Sequence, residues 1–274
     1  MSDDSAVYSQ IIEHIFFKHY SEGEQGFDFK RAEIEETARE LDLPVPKNLG
    51  DVVYSFRHRK ELPESILAKA PSGQEWIIQS AGRAKYRFAL SSAARITPQE
   101  RLSRIKIPNS TPGIIEKYAL NDEQAVLAKL RYNRLIDIFT GLVCYSLQSH
   151  MRTTVGGSQV ETDEFYIGIG KGGAHYAIPV QAKGKGEKMG IVQIQQDFGI
   201  AEEKFPDLIA LPVAAQLLDD NVIALFAFEK MGASVSILME RHFDLVPQEE
   251  LTAEELEEVC ILPTLSSVTL EPMR

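Results

Sequence analysis

The residues with the clearest chemical potential lie in two segments that alternate polar and apolar side chains as β-strands do. Asp163 lies in the first segment, 159–169, and Gln181 and Lys183 lie in the second, 176–183. Because side chains alternate along a strand, Gln181 and Lys183 share one face. If the two segments pair as a hairpin, Asp163, Gln181 and Lys183 converge near one of its ends.

Together these residues could hold a hard cation and act beside it. Asp163 offers a carboxylate oxygen, Gln181 an amide oxygen, and the main-chain carbonyl of Ala182 a third ligand. Mg²⁺ prefers such oxygen ligands and keeps several waters that a substrate can replace, and Mn²⁺ is expected to substitute for it. Lys183 could orient a water molecule or offset negative charge that develops in the transition state. This chemistry suits phosphodiester hydrolysis.

A surface hairpin with alternating polar residues is the simpler interpretation of the same pattern. Lys183 argues against it, because it ends an otherwise apolar strand, and burying a cation without a partner is costly. The sequence therefore favours a site over a plain surface hairpin.

Asp163 followed by Gln181-Ala182-Lys183 resembles the PD-(D/E)xK nuclease superfamily, in the Asp…Gln-x-Lys form seen in Mrr-like restriction enzymes. The similarity spans about residues 120–245. It implies an α/β fold, a restriction-endonuclease-like α/β/α core built from a helix, strands, a helix and a strand. It also implies Mg²⁺-dependent DNA cleavage, with a polar residue of the following helix, Gln193 or Gln196, facing the site.

The chain departs from that family pattern in several places. Thr162 precedes Asp163 where the family has proline, and Gln181 replaces an acid, which leaves open whether one or two metal ions bind. Glu164, next to Asp163, is an alternative to it as the acid, and Glu161 is either a further ligand or a charge at the strand edge. The glutamate that some family members carry on the first helix has no counterpart at the end of the helix predicted here.

The elements around these strands follow the order that the resemblance implies. The spacing of apolar residues predicts a long helix over 122–150, with Gly141 inside it, ahead of the two strands. A helix over 190–198 follows, then strands at 208–213, 222–229 and 234–240, and an acidic terminal helix over 251–259. Gly168 to Gly173 match a dinucleotide-binding glycine pattern, but a strand follows them, so a hairpin turn is predicted instead.

The first ninety residues predict three helices, near 8–20, 29–41 and 49–58, followed by a two-stranded hairpin. This is the element order of a winged helix, whose third helix enters the major groove while the hairpin flanks it. Asn48 is the predicted N-cap of the third helix. The chain is thus predicted to comprise a winged-helix-like DNA-binding domain at 1–92, a linker at 93–119 and a nuclease domain at 120–274.

Basic side chains gather at the two places where a winged helix meets phosphates, and two more precede the candidate strands. The predicted DNA contacts are Arg57, Arg59, Lys60, Arg83, Lys85, Arg87, His150 and Arg152. Cations at a helix C-terminus and in a charged turn are also common without any ligand. Arg241 and His242, at a strand end, could also line the groove.

The composition restricts the class of protein. The net charge of −11 argues against a polycation that coats nucleic acid, but residues 1–95 account for only −2 of it. Two cysteines exclude a disulfide scaffold, and no apolar run reaches the length of a membrane span. With no signal peptide visible at the N-terminus, the sequence predicts a cytoplasmic protein that does not enter membranes.

These observations predict a restriction-type endonuclease that cuts double-stranded DNA with Mg²⁺. Cutting both strands with one site per chain favours a homodimer. The alternative is a winged-helix regulator whose nuclease-like domain only dimerises or senses a ligand. A nuclease acting on RNA or on branched repair intermediates is a third hypothesis.

Overall fold

The computed structural model describes residues 3–91, 95–120, 122–187, 189–232 and 234–252. Its contacts divide the chain into two compact units. The first unit consists of the described residues up to 96 together with 154–159 and 190–192. The second unit consists of 97–153, 160–189 and the described residues from 193 onward.

The first unit combines helices with a small antiparallel sheet. Its elements are α1 (Asp3–His19), β1 (Gly26–Lys30), α2 (Arg31–Glu40), α3 (Leu49–His58), α4 (Glu64–Leu67), β2 (Glu75–Ser80), β3 (Lys85–Ser91) and β4 (Arg95–Ile96). The sheet order is β1–β3–β2. The predicted third helix is confirmed with its cap, because the Asn48 side chain accepts a hydrogen bond from the Gly50 N–H at 3.1 Å.

The apolar stripe predicted on the first helix forms the centre of this unit. Ile11, Ile15 and Phe16 are fully buried, and the Phe16 ring packs edge-on against Trp76 and Phe88. Strand β1 is an element that the sequence does not predict. Its alternation is short, since only Phe27 and Phe29 point inward before α2 begins at Arg31.

The second unit is built on a long mixed sheet with helices. Its elements are β5 (Arg104–Pro108), α5 (Gly113–Tyr118), α6 (Glu123–Tyr132), α7 (Leu135–Thr140), β6 (Val143–Val155), β7 (Ser158–Ile169), β8 (His175–Lys183), β9 (Met189–Gly190), α8 (Ile191–Lys204), β10 (Ile209–Ala210), β11 (Val213–Asp219), β12 (Val222–Met231), β13 (Ser234–Val246) and a 3-10 turn (Gln248–Glu250). The sheet order is β5–β13–β12–β11–β8–β7–β6, and β10 also pairs with β8.

Strand β8 lies at the junction of the sheet and its helices. It runs antiparallel to β7 and parallel to β11, a pairing that α8 allows by connecting the two strands. Val180 and Ala182 join the apolar core formed with α6 and α7. Gln181, on the other face of β8, hydrogen-bonds Asp197 of α8. Helices therefore cover both faces of the sheet at β8, and the protein is mixed α/β.

The predicted long helix over 122–150 is wrong. Arg134 and Gly141 both adopt left-handed backbone angles, with φ of 51° and 69°, and they separate α6, α7 and β6. Gly141 is the C-cap of α7 rather than a packing site within a helix. Residues 143–155 alternate along strand β6, although their apolar members also fit the spacing of a helical stripe.

Three other predictions have mixed outcomes. The glycine-rich segment is the predicted turn between β7 and β8, with Gly173 at a φ of 80°. Part of 93–119, predicted as a linker, contributes β5, which pairs parallel with β13. Leu251 and Thr252 are not helical, and the rest of the predicted acidic helix at 251–259 lies outside the described residues. Within the described ranges, no helix combines the length and apolar character of a membrane span.

Candidate functional site

Asp163 and the Gln181–Lys183 segment are brought together by the hairpin of β7 and β8. The two strands pair in register from Glu164 opposite Val180 to Ile169 opposite His175. Just beyond the pair of Glu164 and Val180, Asp163 Oδ2 accepts a hydrogen bond from the Ala182 main-chain N–H at 2.8 Å. The carboxylate of Asp163 thus lies directly against the segment that carries Gln181 and Lys183.

Lys183 forms an ion pair with Glu123, in the first turn of α6. Asp122 caps this helix by accepting a hydrogen bond from the Ala125 N–H at 3.0 Å, and so fixes where Glu123 begins the helix. Both partners of the ion pair are partly shielded, with Lys183 at 14% and Glu123 at 36% side-chain exposure. Sequence reasoning missed Glu123, although an acid directly after the N-cap of the helix that precedes the strands was a usable signal.

The charges of Glu123, Asp163 and Lys183 act on one another. Burial raises the pKa of the Asp163 carboxyl above its usual range, and the neighbouring Glu123 carboxylate raises it further. The Ala182 N–H, the Lys183 ammonium and His150 act in the opposite direction. A buried carboxyl whose ionisation is further disfavoured by a neighbouring carboxylate forms a place where an added cation is favoured.

Gln181 is buried, and hydrogen bonds hold its side chain in place. It is 2% exposed, and its Nε2 donates to the main-chain oxygen of Glu161 at 3.2 Å and to Asp197 Oδ1 at 3.1 Å. Gln193 Nε2 lies 3.5 Å from Gln181 Oε1, so the predicted approach of Gln193 to this region is present. Gln196 lies half-buried on the same helix, α8.

Asp197 is a second residue that sequence reasoning missed. It is completely buried, and burial raises the pKa of its carboxyl well above the usual range. The hydrogen bond from Gln181 acts against that rise, whereas the negative charge of Asp163 adds to it. The sequence shows Asp197 only as one polar residue among several on α8, and nothing local marks it as buried.

Glu164, the alternative acid, is occupied elsewhere. Its fully buried carboxylate accepts hydrogen bonds from Arg131 Nε at 2.9 and 3.0 Å and from Ser146 Oγ at 2.6 Å. Glu161 pairs with Arg152 at 2.9 Å and lies 3.6 Å from the His150 ring. Glu164 therefore connects β7 to α6 and β6, while Asp163 adjoins Ala182.

His150 and Arg152, predicted at and just after the end of the helix over 122–150, both lie on strand β6. The His150 Nε2 atom is 3.0 Å from Gln124 Nε2, and His150 has a left-handed φ of 48°. This places the imidazole close to the start of α6, beside Gln124. His242 is 2% exposed and pairs with Glu240 at 2.8 Å, so it is a buried side chain and does not line an open groove.

The predicted DNA contacts of the first unit have different surroundings. Arg59 lies over the Tyr54 ring at 5.0 Å, Lys60 donates to Ser5 Oγ at 2.7 Å, and Arg87 pairs with Asp28 at 2.8 Å. The side chains of Arg83 and Lys85 are exposed at the turn between β2 and β3. In contrast, Nε and Nη2 of Arg57 are buried without a hydrogen-bond partner, and this burial lowers the pKa of Arg57.

The oxygen donors at the site suit a hard cation that retains waters. They are the carboxylates of Glu123 and Asp163 and the amide oxygen of Gln181. Across the described ranges, no group of three His, Cys, Asp or Glu side chains is arranged as a metal cage. Mg²⁺ commonly binds through one or two carboxylates, with water or substrate completing its shell, so these donors fit it.

No protein-family model, curated protein or solved structure matches the chain.

Proposed function

We propose that the chain is a Mg²⁺-dependent endonuclease of restriction type that hydrolyses phosphodiester bonds in double-stranded DNA. The observation that carries this proposal is the contact of Asp163 with the Ala182 N–H, beside a Lys183 that pairs with Glu123. A pair of acids with a shielded lysine, brought together from two paired strands and a helix, is an arrangement for charge-stabilised hydrolysis.

The element order supports a restriction-endonuclease-like core. Apart from the short helix α7 and the two-residue strands β9 and β10, helix α6 is followed by strands β6, β7 and β8, then by α8 and by β11, which is parallel to β8. This is the helix, strands, helix and strand that the resemblance to the PD-(D/E)xK superfamily implies. Glu123 lies on the first helix of this series, where the sequence had left the family's glutamate without a counterpart.

Each residue has a definable task in this proposal. Glu123, Asp163 and Gln181 would hold the cation, and the main-chain carbonyl of Ala182 stays a candidate ligand. A bound Mg²⁺ supplies polarisation of a phosphoryl oxygen and a more acidic water. The Lys183 ammonium, held by Glu123 near Asp163, offsets negative charge on the phosphate and orients the water that attacks it.

The first unit would position the duplex. Its helix α3 and the turn between β2 and β3 support the proposed winged-helix role, because Arg59, Arg83 and Lys85 are exposed there. Such side chains bind phosphates without reading sequence. We propose a homodimer, since one site per chain cuts one strand, and a reducing compartment such as the cytoplasm, where Cys144 stays a free, buried thiol.

Plasmid cleavage tests the proposal. Wild type should cut in Mg²⁺ and not in EDTA, and Asp163→Ala and Lys183→Ala should each lose roughly 100-fold or more of the rate. Lys185→Ala is the matched control, because Lys185 is an exposed lysine two positions away that pairs with Asp219 at 2.9 Å. Equal cleavage by wild type and both site variants would sink the assignment.

A non-catalytic winged-helix regulator is the second candidate. The neutral Gln181 in place of an acid favours it, because the site then carries less negative charge for a cation. Tight duplex binding with no Mg²⁺-dependent cleavage of methylated, unmethylated or branched DNA, or of RNA, would select this candidate. Faster cleavage of branched DNA or RNA than of a plasmid would instead change the substrate class.

A further inference from the structure

The amide of Gln181 has both of its hydrogens occupied. Its Nε2 donates to the main-chain oxygen of Glu161 at 3.2 Å and to Asp197 Oδ1 at 3.1 Å. A primary amide nitrogen carries two hydrogens, so these two acceptors use its full donor capacity. Both side chains are shielded from bulk solvent, since Gln181 is 2% exposed and Asp197 is completely buried.

These two contacts fix which way the amide faces. With nitrogen and oxygen exchanged, the Gln181 oxygen would lie against the Glu161 carbonyl oxygen, and neither atom carries a hydrogen. The oxygen is therefore on the opposite side, where Gln193 Nε2 lies at 3.5 Å. A carbonyl oxygen has two lone pairs, so one stays available beside the weak contact with Gln193.

We infer that Asp197 is a positioning residue that holds Gln181 with its oxygen free for the cation, and that Gln181 and Asp197 are a matched pair. This inference rests on the proposed function for the identity of the cation. Asp197 lies on α8 and Gln181 on β8, so the pair also ties the helix to the strand at the site.

The pairing gives a physical reason for the amide at position 181, where the general PD-(D/E)xK pattern, unlike its Asp…Gln-x-Lys form, has an acid. A glutamate there would place its oxygens against the Glu161 carbonyl and against Asp197, with no hydrogen to share unless one acid stays protonated. Two buried carboxyls in contact cannot both ionise without a large penalty.

Four variants and a control test the inference. Asp197→Asn can still accept from Gln181 through its amide oxygen, whereas Asp197→Ala cannot. Gln181→Glu creates the disfavoured contact, and Gln181→Glu with Asp197→Asn restores one donor to the pair. Glu202→Gln, at an exposed acid of α8 that pairs with Lys230, is the control for the helix itself.

The readouts are Mg²⁺ binding by calorimetry without DNA, and thermal unfolding in EDTA. Asp197→Ala should weaken Mg²⁺ binding by about 10-fold or more, as loss of outer-shell partners does, whereas Asp197→Asn and Glu202→Gln should bind as wild type does. Gln181→Glu should melt below wild type, and the added Asp197→Asn should recover most of that loss.

The outcomes separate the inference from the proposed function. Wild-type Mg²⁺ binding that Asp197→Ala leaves unchanged would overturn the positioning role while the nuclease proposal stands. Absence of Mg²⁺ binding by the wild type would overturn the metal site and the ligand role of Gln181. The melting temperatures would then still decide the matched pair, which is overturned if Asp197→Asn fails to rescue Gln181→Glu. If Asp197→Ala does not fold, the melting temperatures of Gln181→Glu with and without Asp197→Asn still test whether Gln181 and Asp197 are a matched pair.

Discussion

Glu123 and Lys183 form an ion pair across sixty residues of sequence. The pair joins the first turn of α6 to the last residue of β8, and it lies beside the carboxylate of Asp163. In the proposed site Glu123 has two tasks, since it fixes the lysine and adds negative charge for a cation.

Replacing Glu123 with glutamine should separate function from stability. Without DNA, Mg²⁺ affinity measured by calorimetry should fall about 10- to 100-fold, because a carboxylate and the partner of Lys183 are both removed. The free energy of unfolding should change by less than about 1 kcal/mol, since partly exposed ion pairs contribute little. Glu116→Gln, on α5, is the control, and a large loss of stability without a loss of Mg²⁺ affinity would contradict the proposed role.

Replacing Asp163 and Glu164, each with its amide, should affect cleavage and stability in opposite ways. Asp163→Asn should abolish cleavage and leave thermal stability close to wild type. Glu164→Gln should keep cleavage but lower the melting temperature. The substitution removes the charge of the buried carboxylate that accepts hydrogen bonds from Arg131 and Ser146. Cleavage abolished in Glu164→Gln and kept in Asp163→Asn would assign the acid to Glu164 instead.

Removing Arg131 should lower the free energy of unfolding more than removing a surface cation does. Arg131→Ala leaves the fully buried Glu164 without its charged partner, and breaking such pairs costs about 3–5 kcal/mol. Because Arg131 is 42% exposed, water can partly replace it, and we expect the lower end of that range in urea unfolding. Arg39→Ala, at an exposed pair on α2, should change stability by about 1 kcal/mol at most.

The pair of His19 and Glu33 should make the first unit depend on pH. Although burial acts in the opposite direction, the hydrogen bonds from His19 and the Lys30 N–H leave the pKa of Glu33 lowered. A lowered carboxyl pKa stabilises the fold above the unfolded value of about 4.3, and this contribution disappears as the pH falls through the lower, folded pKa. Glu33→Gln, which can still accept from Lys30, should therefore destabilise the protein at neutral pH and match wild type in acid. Urea unfolding across that range measures the difference, and a constant difference would contradict it.

The exposed arginine and lysine at the β2–β3 turn should contribute to DNA affinity through phosphates. Arg83→Ala and Lys85→Ala should each weaken DNA binding by the same factor whatever the sequence of the duplex. Each should also reduce the slope of log K against log salt by about one unit for every phosphate that the variant no longer binds. Arg57→Met should leave the salt dependence unchanged, because two of its guanidinium nitrogens are already buried. Filter binding from low to moderate salt measures the slopes, and unchanged slopes for both turn variants would exclude this surface.

Local patterns were sufficient for the elements that carry the motif. The cap at Asn48, the alternation of 159–169 and 176–183, and the glycine turn between them predicted α3, β7 and β8, and the hairpin then brings Asp163 to Ala182. The prediction of one helix over 122–150 was wrong because the apolar residues of 143–155 fit both helical and strand spacing. The left-handed backbone angles at Arg134 and Gly141 end the helices before that segment. Asp197 could not be predicted, since its contact with Gln181 depends on how α8 packs on β8. Glu123 had one local signal, its place directly after the N-cap of α6, but its pairing with Lys183 also depends on packing.

The parallel pairing of β8 with β11 has a consequence for the order in which the protein matures. A chain synthesised only as far as Lys183 would carry Asp163, Gln181 and Lys183, but not Asp197 or the strand that seals β8. Parallel pairing requires the whole crossover through α8 before it can form, and such non-local contacts form late in folding. In the proposed nuclease, competence to cut would arise only after residue 219 has been added and β11 has docked, so the nascent polypeptide would not yet cut DNA.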